Sequence, residues 1–347
     1  MKHLKFINVS GFFSSGSSAV VDLLKELKGF YECTAEIRII KDPYGISQME
    51  HALVDQWELI NSSAAINDFI SLCKICSRTG GGKNPFARAG LNYANTITPN
   101  FMNIVYEYIN ELTLFQYKSD FYSAKFKKSY LRYVTDRIRS GMEIKSKGKF
   151  RIANRNNLLP SYFVHPTREE FNAATQRFFN KLYENFAECY THIILDQAVS
   201  ANNPSVIHRY FTDAKLIIID RDPRDMFIED VVKWGENLDD DPSSAESGMR
   251  YVVRQKALRE GIKEDCDVIY IRFEDLILDY DNMVHRILDF LGLNESDHIK
   301  KREFLKPEIS AKNIGIWKKY YGEYKCAIDI IAEQLPELCY NNNNITI

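Results

Sequence analysis

Long apolar runs are missing from this 347-residue sequence: no stretch approaches the roughly 20 apolar residues that a membrane-spanning helix needs. The first residues, MKHLKFINVSGFF, contain two lysines but no extended apolar segment after them, which favours a first β-strand over a signal peptide. A charge bias is missing too, because 45 basic residues face 47 acidic ones, so net charge indicates no polyanionic partner. We therefore expect a cytoplasmic protein without an integral membrane segment.

Metal-binding clusters are also missing. The seven cysteines are irregularly spaced, and the single C-x-x-C, Cys73 with Cys76, has no second pair or histidine cluster that would complete a zinc site. These two cysteines lie one turn apart in an apolar helical pattern, which is typical of thiols in a protein core. We expect neither a structural metal nor a disulfide.

The sequence does contain an alternation of short strands and helices. Leu4–Val9 is an apolar run that is followed by a loop of small residues and by the helical pattern of Ala19–Leu27. Further Ile- and Val-rich runs are typical of buried parallel strands, so the alternation predicts an α/β fold with a parallel central sheet flanked by helices. These runs are His192–Leu195, Leu216–Ile219 and Val268–Ile271, and the later helical patterns are Ser247–Glu264 and Tyr280–Leu291, closed by Gly292.

Residues 46–190 show a different pattern, with aromatic and basic residues at helical spacing and few strand signals. We interpret this segment as a large helical insertion within a single domain that spans residues 1–347. No internal repeat is present, and the low-complexity tail NNNNITI is predicted to fray.

The loop after the first strand is the first candidate functional motif, and it reads GFFSSGSS over residues 11–18. Small residues let backbone N–H groups turn toward a phosphate or sulfate, and the N-terminus of the following helix adds partial positive charge. The alternative is a serine-rich turn that only caps the helix. An ATP or GTP P-loop is not expected, because Gly16 is followed by Ser17 and not by lysine.

The second motif, RDPRD at residues 221–225, follows a predicted buried strand. Arg221 and Arg224 are well placed there to hold a phosphate, because guanidinium groups bind phosphate bidentately and ligands bind at this edge of an open α/β sheet. The alternative is a structural network of ion pairs between these arginines and the neighbouring aspartates. A third motif, RFEDL at residues 272–276, is expected to be structural, with Glu274 paired to an arginine or capping a helix.

In this order, the motifs resemble the PAPS-dependent sulfotransferase family, where PAPS is 3′-phosphoadenosine 5′-phosphosulfate. SGSS at 15–18 resembles the family's 5′-phosphosulfate loop and RDPRD its 3′-phosphate motif, while RFEDL, FLGL at 290–293 and NIGIWK at 313–318 match its last strand, the next helix and the segment that closes over the donor. The resemblance implies a P-loop NTPase-like sulfotransferase fold, PAPS as sulfuryl donor, PAP (adenosine 3′,5′-bisphosphate) as product, and no metal. The implied donor-binding residues are Ser14, Ser15, Gly16, Ser17, Ser18, Arg221, Arg224, Lys312 and Asn313.

Two positions depart from the family pattern. Ser14 stands where the family usually has a lysine or arginine that contacts the bridging oxygen of the donor, and losing one preorganised donor group costs on the order of 100-fold in rate. Glu229, eight residues after Arg221, stands where the family often has a serine that helps to hold the 3′-phosphate, so Glu229 is left out of the predicted site. The candidates for a replacement cation, each with the alternative of a solvated surface charge, are Arg38, Lys41, Lys312 and Lys318.

A general base is needed as well, because a hydroxyl acceptor must lose its proton as it attacks sulfur. Glu36 belongs to a second strand-like region, Glu36–Ile40, where the fold often presents residues to the acceptor. Asp196 ends a buried strand, and His165 lies in a loop of the insertion. We prefer Glu36, and the predicted catalytic residues are Glu36, His165 and Ser14.

A basic stretch in the insertion bears on the acceptor. Residues 118–155 contain 12 Lys or Arg against three acidic residues, with aromatic side chains between them. This pattern fits a groove for an anionic acceptor, in which rings stack on sugar faces, and it also fits a solvated helix face. No recognised nucleic-acid-binding module accompanies it, so we expect a carbohydrate or lipid-linked sugar and not a nucleic acid.

Three functions remain open at this point. The leading one is a sulfotransferase that moves a sulfuryl group from PAPS to a hydroxyl or amine of a carbohydrate-type acceptor. The serine at position 14 favours an alternative, a catalytically inactive relative that binds nucleotide or anionic glycan. A divergent nucleotide kinase is disfavoured, because the Gly-Lys-Ser/Thr sequence is absent.

Overall fold

The computed structural model describes residues 4–80, 90–119, 130–145, 159–260 and 267–340. Contacts divide the chain into two compact units. The first unit comprises Met1–Ile40, Thr96–Thr98 and Phe179–Ile347, and the second comprises Lys41–Asn95 and Pro99–Phe178. The single domain with an insertion over 46–190 stays a prediction.

Strands and helices alternate along the first unit, while helices predominate in the second. The strands are β1 (Lys5–Gly11), β2 (Phe30–Glu36), β3 (Thr113–Ser119), β4 (Leu159–Val164), β5 (His192–Asp196), β6 (Ala214–Asp220) and β7 (Val268–Arg272). The α-helices are α1 (Ser17–Lys25), α2 (Ile46–Glu50), α3 (Leu59–Ser77), α4 (Tyr93–Thr96), α5 (Phe101–Leu112), α6 (Tyr130–Lys145), α7 (Arg168–Tyr183), α8 (Val206–Tyr210), α9 (Pro223–Ile228), α10 (Ala245–Arg259), α11 (Phe273–Leu278), α12 (Tyr280–Leu291), α13 (Pro307–Ser310) and α14 (Trp317–Gln334). Single π-helical turns lie at His51–Asp55 and Glu229–Lys233, and short 3₁₀ turns at Glu184–Phe186, Glu295–Asp297 and Ala311–Asn313.

The first unit is built on a five-stranded parallel sheet in the order β2-β5-β1-β6-β7. This confirms the predicted α/β class and the four Ile- and Val-rich strands. Because β1 lies at the centre, its carboxyl end is flanked by those of β5 and β6, with Val9 opposite Asp196 and Gly11 opposite Ile219. The GFFSSGSS loop and the RDPRD motif therefore follow two adjacent strands, β1 and β6, at the edge where open α/β sheets bind ligands.

The position of β2 differs from the prediction. The strand runs over Phe30–Glu36 and pairs with β5, so the strand-like region predicted at Glu36–Ile40 is wrong. Ile37, Ile39 and Ile40 are nevertheless buried. Their apolar pattern therefore reflects the burial of the segment that follows the strand. In so short a run, hydrophobic periodicity does not distinguish a buried segment from a strand.

Apolar side chains cover both faces of β1. On one face, Ile7 and Val9 join a buried cluster that includes Leu23 of α1 and Ile287 of α12. On the other face, the ring of Phe6 packs against those of Tyr183 and Phe211, with centroid distances of 5.7 and 5.2 Å. A strand that is buried on both faces fixes the position at which its loop begins. The predicted close of α12 is also confirmed, since Gly292 has a left-handed φ of 70°.

The second unit contains helices and a small antiparallel sheet. Its helices confirm the predicted helical character, and Cys73 and Cys76 are buried in α3, as expected of thiols in a protein core. The sheet pairs β3 with β4, and the stacked rings of Phe115 and Phe163 lie 4.7 Å apart across it. This sheet was not predicted, because its strands are only six and seven residues long and join partners 40 or more positions apart. Among the described residues, no helix is long and apolar enough to span a membrane.

Candidate functional site

The loop between β1 and α1 folds as a tight turn with left-handed backbone angles. Phe13, Ser14 and Gly16 have φ values of 61°, 40° and 91°. The Ser15 hydroxyl is buried and accepts a hydrogen bond from a loop amide at 3.1 Å. Glycine is required at position 16, because an added Cβ would lie 2.5 Å from a ring carbon of Phe273 and the φ angle would strain any other residue.

Helix α1 presents its N-terminus to this loop. Its first turn contains no acidic residue, and no side chain caps its amides. Ser17 is half-buried and Ser18 is exposed. The first N–H groups of a helix have no partner within the helix, so the loop and the helix together offer amide donors and partial positive charge to an anion.

The Ser14 hydroxyl points to an acidic side chain. Its Oγ donates a hydrogen bond to Asp230 Oδ1 at 2.6 Å, and Asp230 Oδ2 lies 2.5 Å from an Arg254 nitrogen. Burial raises the pKa of Asp230, although the Ser14 and Arg254 contacts lower it in part. The guanidinium of Arg254 also lies 6.0 Å from the ring centre of Phe13. The loop position that lacks a cation therefore sits beside a carboxylate that is already paired with an arginine.

Arg221 connects the loop to two other segments. Its side chain is only 2% exposed and lies over the ring of Phe273 at 5.2 Å. One terminal nitrogen donates to the Ser14 carbonyl at 2.9 Å and to Glu229 at 2.5 Å, and the other donates to the Asn313 carbonyl at 2.5 Å. The structure thus brings Ser14, Arg221 and Asn313 together, and their role in binding the donor stays a prediction. Glu229, which the sequence interpretation left out, is in direct contact with Arg221.

Arg224 is engaged in the ion-pair network that the sequence left open as an alternative. Its guanidinium forms a bidentate pair with Asp222 and lies 4.3 Å from the ring centre of Trp317. Asp222 also caps α9, because its Oδ1 accepts the Arg224 N–H at 2.9 Å and Pro223 occupies the first helical position. The sequence Asp-Pro-Arg therefore stabilises the start of α9, whether or not Arg224 also binds a phosphate.

Asp225 holds the segment that the sequence predicted to close over the donor. Its carboxylate is buried and accepts hydrogen bonds from the backbone of Gly315 at 2.7 Å and of Trp317 at 3.0 Å. Burial raises the pKa of Asp225 to about 6, although Arg221 and these two amides lower it in part. Lys312 and Lys318 of this segment are exposed, and the Lys318 ammonium lies close to Gly315.

Two of the three candidate bases meet at the edge of the sheet. Glu36 and Asp196 are partners in the register of β2 and β5, and Asp196 is next to Val9 of β1. The Glu36 carboxylate is half-exposed and forms an ion pair of 2.5 Å with Arg38. Arg38 is therefore tied to the candidate base.

The remaining candidates belong to the second unit. His165 is exposed, and its ring meets the Trp57 ring edge-on at 4.8 Å. Lys41 is half-buried. Most of the basic stretch at 118–155, including Lys125, Lys127 and Lys128, lies outside the described residues.

Three charged residues near the loop were missed or set aside by sequence reasoning: Glu229, Asp230 and Arg254. Glu229 and Asp230 form the start of a π-helical turn that follows α9, and they contact Arg221 and Ser14 respectively. The sequence signal for the contact of Glu229 with Arg221 was their spacing, since eight residues correspond to about two helical turns. No sequence signal points to Arg254, because its ion pair with Asp230 joins residues 24 positions apart.

A model of the sulfotransferase family matches residues 120–297, slightly more than half of the 347-residue chain. The chain belongs to the sulfotransferase family. The matched range includes the RDPRD motif and β7 but not the GFFSSGSS loop.

Distantly similar solved structures are also sulfotransferases or related enzymes. A sulfotransferase from Mycobacterium tuberculosis H37Rv is 12% identical with a TM-score of 0.40, over 97% of this chain and 77% of that one. The sulfotransferase domain of the Synechococcus PCC 7002 olefin synthase is 11% identical with a TM-score of 0.40, over 99% and 97%. Retinol dehydratase, solved with androsterone and the inactive cofactor PAP, is 11% identical with a TM-score of 0.34, over 98% and 83%. No curated protein matches the chain.

Proposed function

We propose that this sulfotransferase moves a sulfuryl group from PAPS to a hydroxyl or amine of a carbohydrate-type acceptor. The observation that carries the proposal is the set of hydrogen bonds from buried Arg221 to the Ser14 and Asn313 carbonyls. They join the anion-binding loop to the segment of NIGIWK at the carboxyl edge of the parallel sheet. Family membership supplies the reaction class, and this arrangement supplies a place for the donor.

The loop fits the phosphosulfate end of such a donor. Uncapped amides of α1 and the hydroxyls of Ser17 and Ser18 are available to its anionic oxygens, and no acidic residue lies in the first turn of the helix. The 3′-phosphate end has a less open site, because Arg221 already contacts Glu229 and Arg224 already pairs with Asp222. We assign Arg221, with Asn313 beside it, to the 3′-phosphate.

Transfer is proposed as an in-line displacement. PAPS supplies an electrophilic sulfur whose bond to the bridging oxygen breaks as the acceptor oxygen bonds to sulfur, and PAP leaves. The loop amides hold the departing oxygens, and exposed Lys312 or Lys318 replaces the cation that Ser14 does not supply. Glu36, oriented by its ion pair with Arg38, takes the acceptor proton, and Asp196 is the neighbouring alternative.

The acceptor class is proposed from the sequence of residues 118–155. Interleaved aromatic and basic side chains suit the apolar faces and anionic groups of a sugar. An array of acceptors assayed with labelled PAPS tests this part of the proposal, and transfer only to small phenols or sterols would contradict it.

A binding protein without transferase activity is the second candidate, and two contacts favour it. The Ser14 hydroxyl is turned toward Asp230, and the Arg221 charge is paired with Glu229. Both contacts reduce the positive character that sulfuryl transfer requires. Turnover of labelled PAPS separates the two candidates, because both bind PAP but only an enzyme consumes the donor.

Thermal unfolding with PAP tests the donor site directly. A ligand that binds only the folded state stabilises it by about 2.7 kcal/mol at 100 times its Kd. We expect PAP to raise the Tm of the wild-type protein and the Arg221→Gln substitution to reduce this rise. Arg286→Gln is the control, because it removes an arginine at an exposed site of the same unit and is expected to leave the rise in Tm unchanged. Stabilisation by ATP-Mg²⁺ without any by PAP would instead support a nucleotide kinase.

A further inference from the structure

The contact between Arg221 and Glu229 is a buried ion pair at the position assigned to the donor's 3′-phosphate. Glu229 Oε2 lies 2.5 Å from Arg221, and its other oxygen lies 2.7 Å from the ammonium of Lys233. The exposed fractions of the side chains are 2% for Arg221, 17% for Glu229 and 60% for Lys233. The carboxylate thus bridges a buried cation and a solvent-exposed one.

Few hydrogen-bond donors of Arg221 remain for a ligand. A guanidinium has five N–H groups, and three of them bond to Ser14, Glu229 and Asn313. The Nε–H is buried and has no hydrogen-bond partner among the described residues. A phosphate that binds Arg221 therefore either takes the place of the Glu229 carboxylate or lies beside it.

Local geometry keeps Glu229 in this position. It begins the π-helical turn Glu229–Lys233, and the i to i+5 hydrogen bond from Trp234 N–H to the Glu229 carbonyl is 3.2 Å long. Burial alone would raise the pKa of Glu229, but hydrogen bonds from Lys233 and Arg221 hold it below its ordinary value. Glu229 is consequently an anion at neutral pH, and a phosphate within a few ångströms of it meets like-charge repulsion.

We propose that Glu229 is a specificity-determining residue that competes with the donor's 3′-phosphate for Arg221, so that the 3′-phosphate adds little to nucleotide affinity in this sulfotransferase. This inference rests on the proposed function, because it concerns the same donor site. A 3′-phosphate that binds Arg221 either displaces the Glu229 carboxylate, which Lys233 on the solvent side then retains, or lies beside this carboxylate and meets its repulsion. The site therefore accepts adenosine 5′-phosphosulfate nearly as well as PAPS.

Isothermal titration with two nucleotides tests the proposal. Adenosine 5′-phosphate and PAP differ only in the 3′-phosphate, so the ratio of their Kd values measures what that group contributes. For the wild-type protein we expect a ratio below about 3. For Glu229→Gln we expect a ratio of about 10 to 100, the value of a hydrogen-bonded charge, through tighter binding of PAP with adenosine 5′-phosphate unchanged.

Two further variants complete the test. Glu229→Ser installs the residue that the family often has and is expected to behave as Glu229→Gln. Glu246→Gln removes one exposed carboxylate elsewhere in the unit and is expected to keep the wild-type ratio. The Tm of each variant without nucleotide shows whether it is folded, and glutamine still accepts the Arg221 hydrogen bond.

The outcomes separate this inference from the proposed function. A wild-type protein that binds PAP ten or more times more tightly than adenosine 5′-phosphate overturns the competition and leaves the sulfotransferase proposal intact. So does a Glu229→Gln variant that changes both Kd values equally. If neither nucleotide binds the folded wild-type protein, the proposed donor site fails, and the inference fails with it.

Discussion

The Ser14 hydroxyl donates a hydrogen bond of 2.6 Å to Asp230, 216 positions away in the sequence. Asp230 is in turn paired with Arg254, whose side chain is one-quarter exposed. A carboxylate therefore stands beside the loop position at which sulfotransferases usually have a cation. A lysine introduced at position 14 would meet this carboxylate before it met a ligand.

The first prediction concerns Ser14→Lys. A preorganised donor group is worth on the order of 100-fold in rate, so a lysine that restored a missing and uncompensated cation would raise PAPS turnover by about that factor. We expect instead that Ser14→Lys changes PAPS turnover by less than about tenfold. The reason is that the new ammonium pairs with Asp230. Single-turnover measurements with labelled PAPS provide the rate. A wild-type protein without turnover, together with a Ser14→Lys variant that consumes PAPS, would show that the missing charge had abolished the chemistry.

The second prediction concerns Gly16→Ala, with Gly292→Ala as its control. Both glycines have positive φ, so both variants suffer backbone strain and lose more than about 1 kcal/mol in the free energy of unfolding. Only Gly16 faces the Phe273 ring, whereas nothing lies within 4 Å of an added Cβ at Gly292. We therefore expect the larger loss, and the loss of PAP binding, in Gly16→Ala. Urea unfolding measures the loss of stability in each of the two variants. Equal losses of stability, together with retained PAP binding in Gly16→Ala, would contradict the steric argument.

The third prediction is a pH dependence of stability that comes from Asp225. Its pKa rises from an ordinary 3.8 to about 6 on folding, so between these values the folded state binds a proton that the unfolded state has released. The contribution of Asp225 to stability is therefore greatest below pH 3.8 and falls as pH rises to 6, by about 3 kcal/mol. The free energy of unfolding of wild type minus that of Asp225→Asn, measured in urea from pH 4 to pH 7, is expected to fall through this window. A constant difference would contradict it.

The fourth prediction concerns the basic stretch. Replacing Lys125, Lys127 and Lys128 with glutamine is expected to raise the KM for the acceptor and to leave the Kd of PAP unchanged, because these residues lie outside every donor motif in the sequence. Initial rates at varied acceptor and titrations with PAP provide the two values. Equal weakening of acceptor and donor would show that the stretch also serves the donor.

The sequence was informative where burial and chain order decide the structure. Ile217 and Ile194 are wholly or almost wholly buried, and runs of such residues predicted the central strands correctly. The loop also followed from its place between a strand and a helix. The run at Ile37–Ile40 shows the limit, because apolar residues are buried there without forming a strand.

Contacts between distant segments could not be predicted in the same way. The sequence placed Glu229 eight residues after Arg221, but the side-chain direction depends on the π-helical turn that begins there. Arg254 carries no signal of its own, since an arginine on a helix is usually solvated. The charges around the loop therefore come from residues that are distant in sequence, and their contacts are seen only in the folded chain.

The hydrogen bonds of Arg221 have a consequence for the order of folding during synthesis. They reach back 207 positions to the Ser14 carbonyl and forward 92 positions to the Asn313 carbonyl. A nascent chain that has emerged only as far as β7 possesses the sheet and the loop sequence but not the Asn313 segment. Since N-terminal parts of a chain fold first during translation, the hydrogen bond from Arg221 to Asn313 forms only after this late segment has left the ribosome.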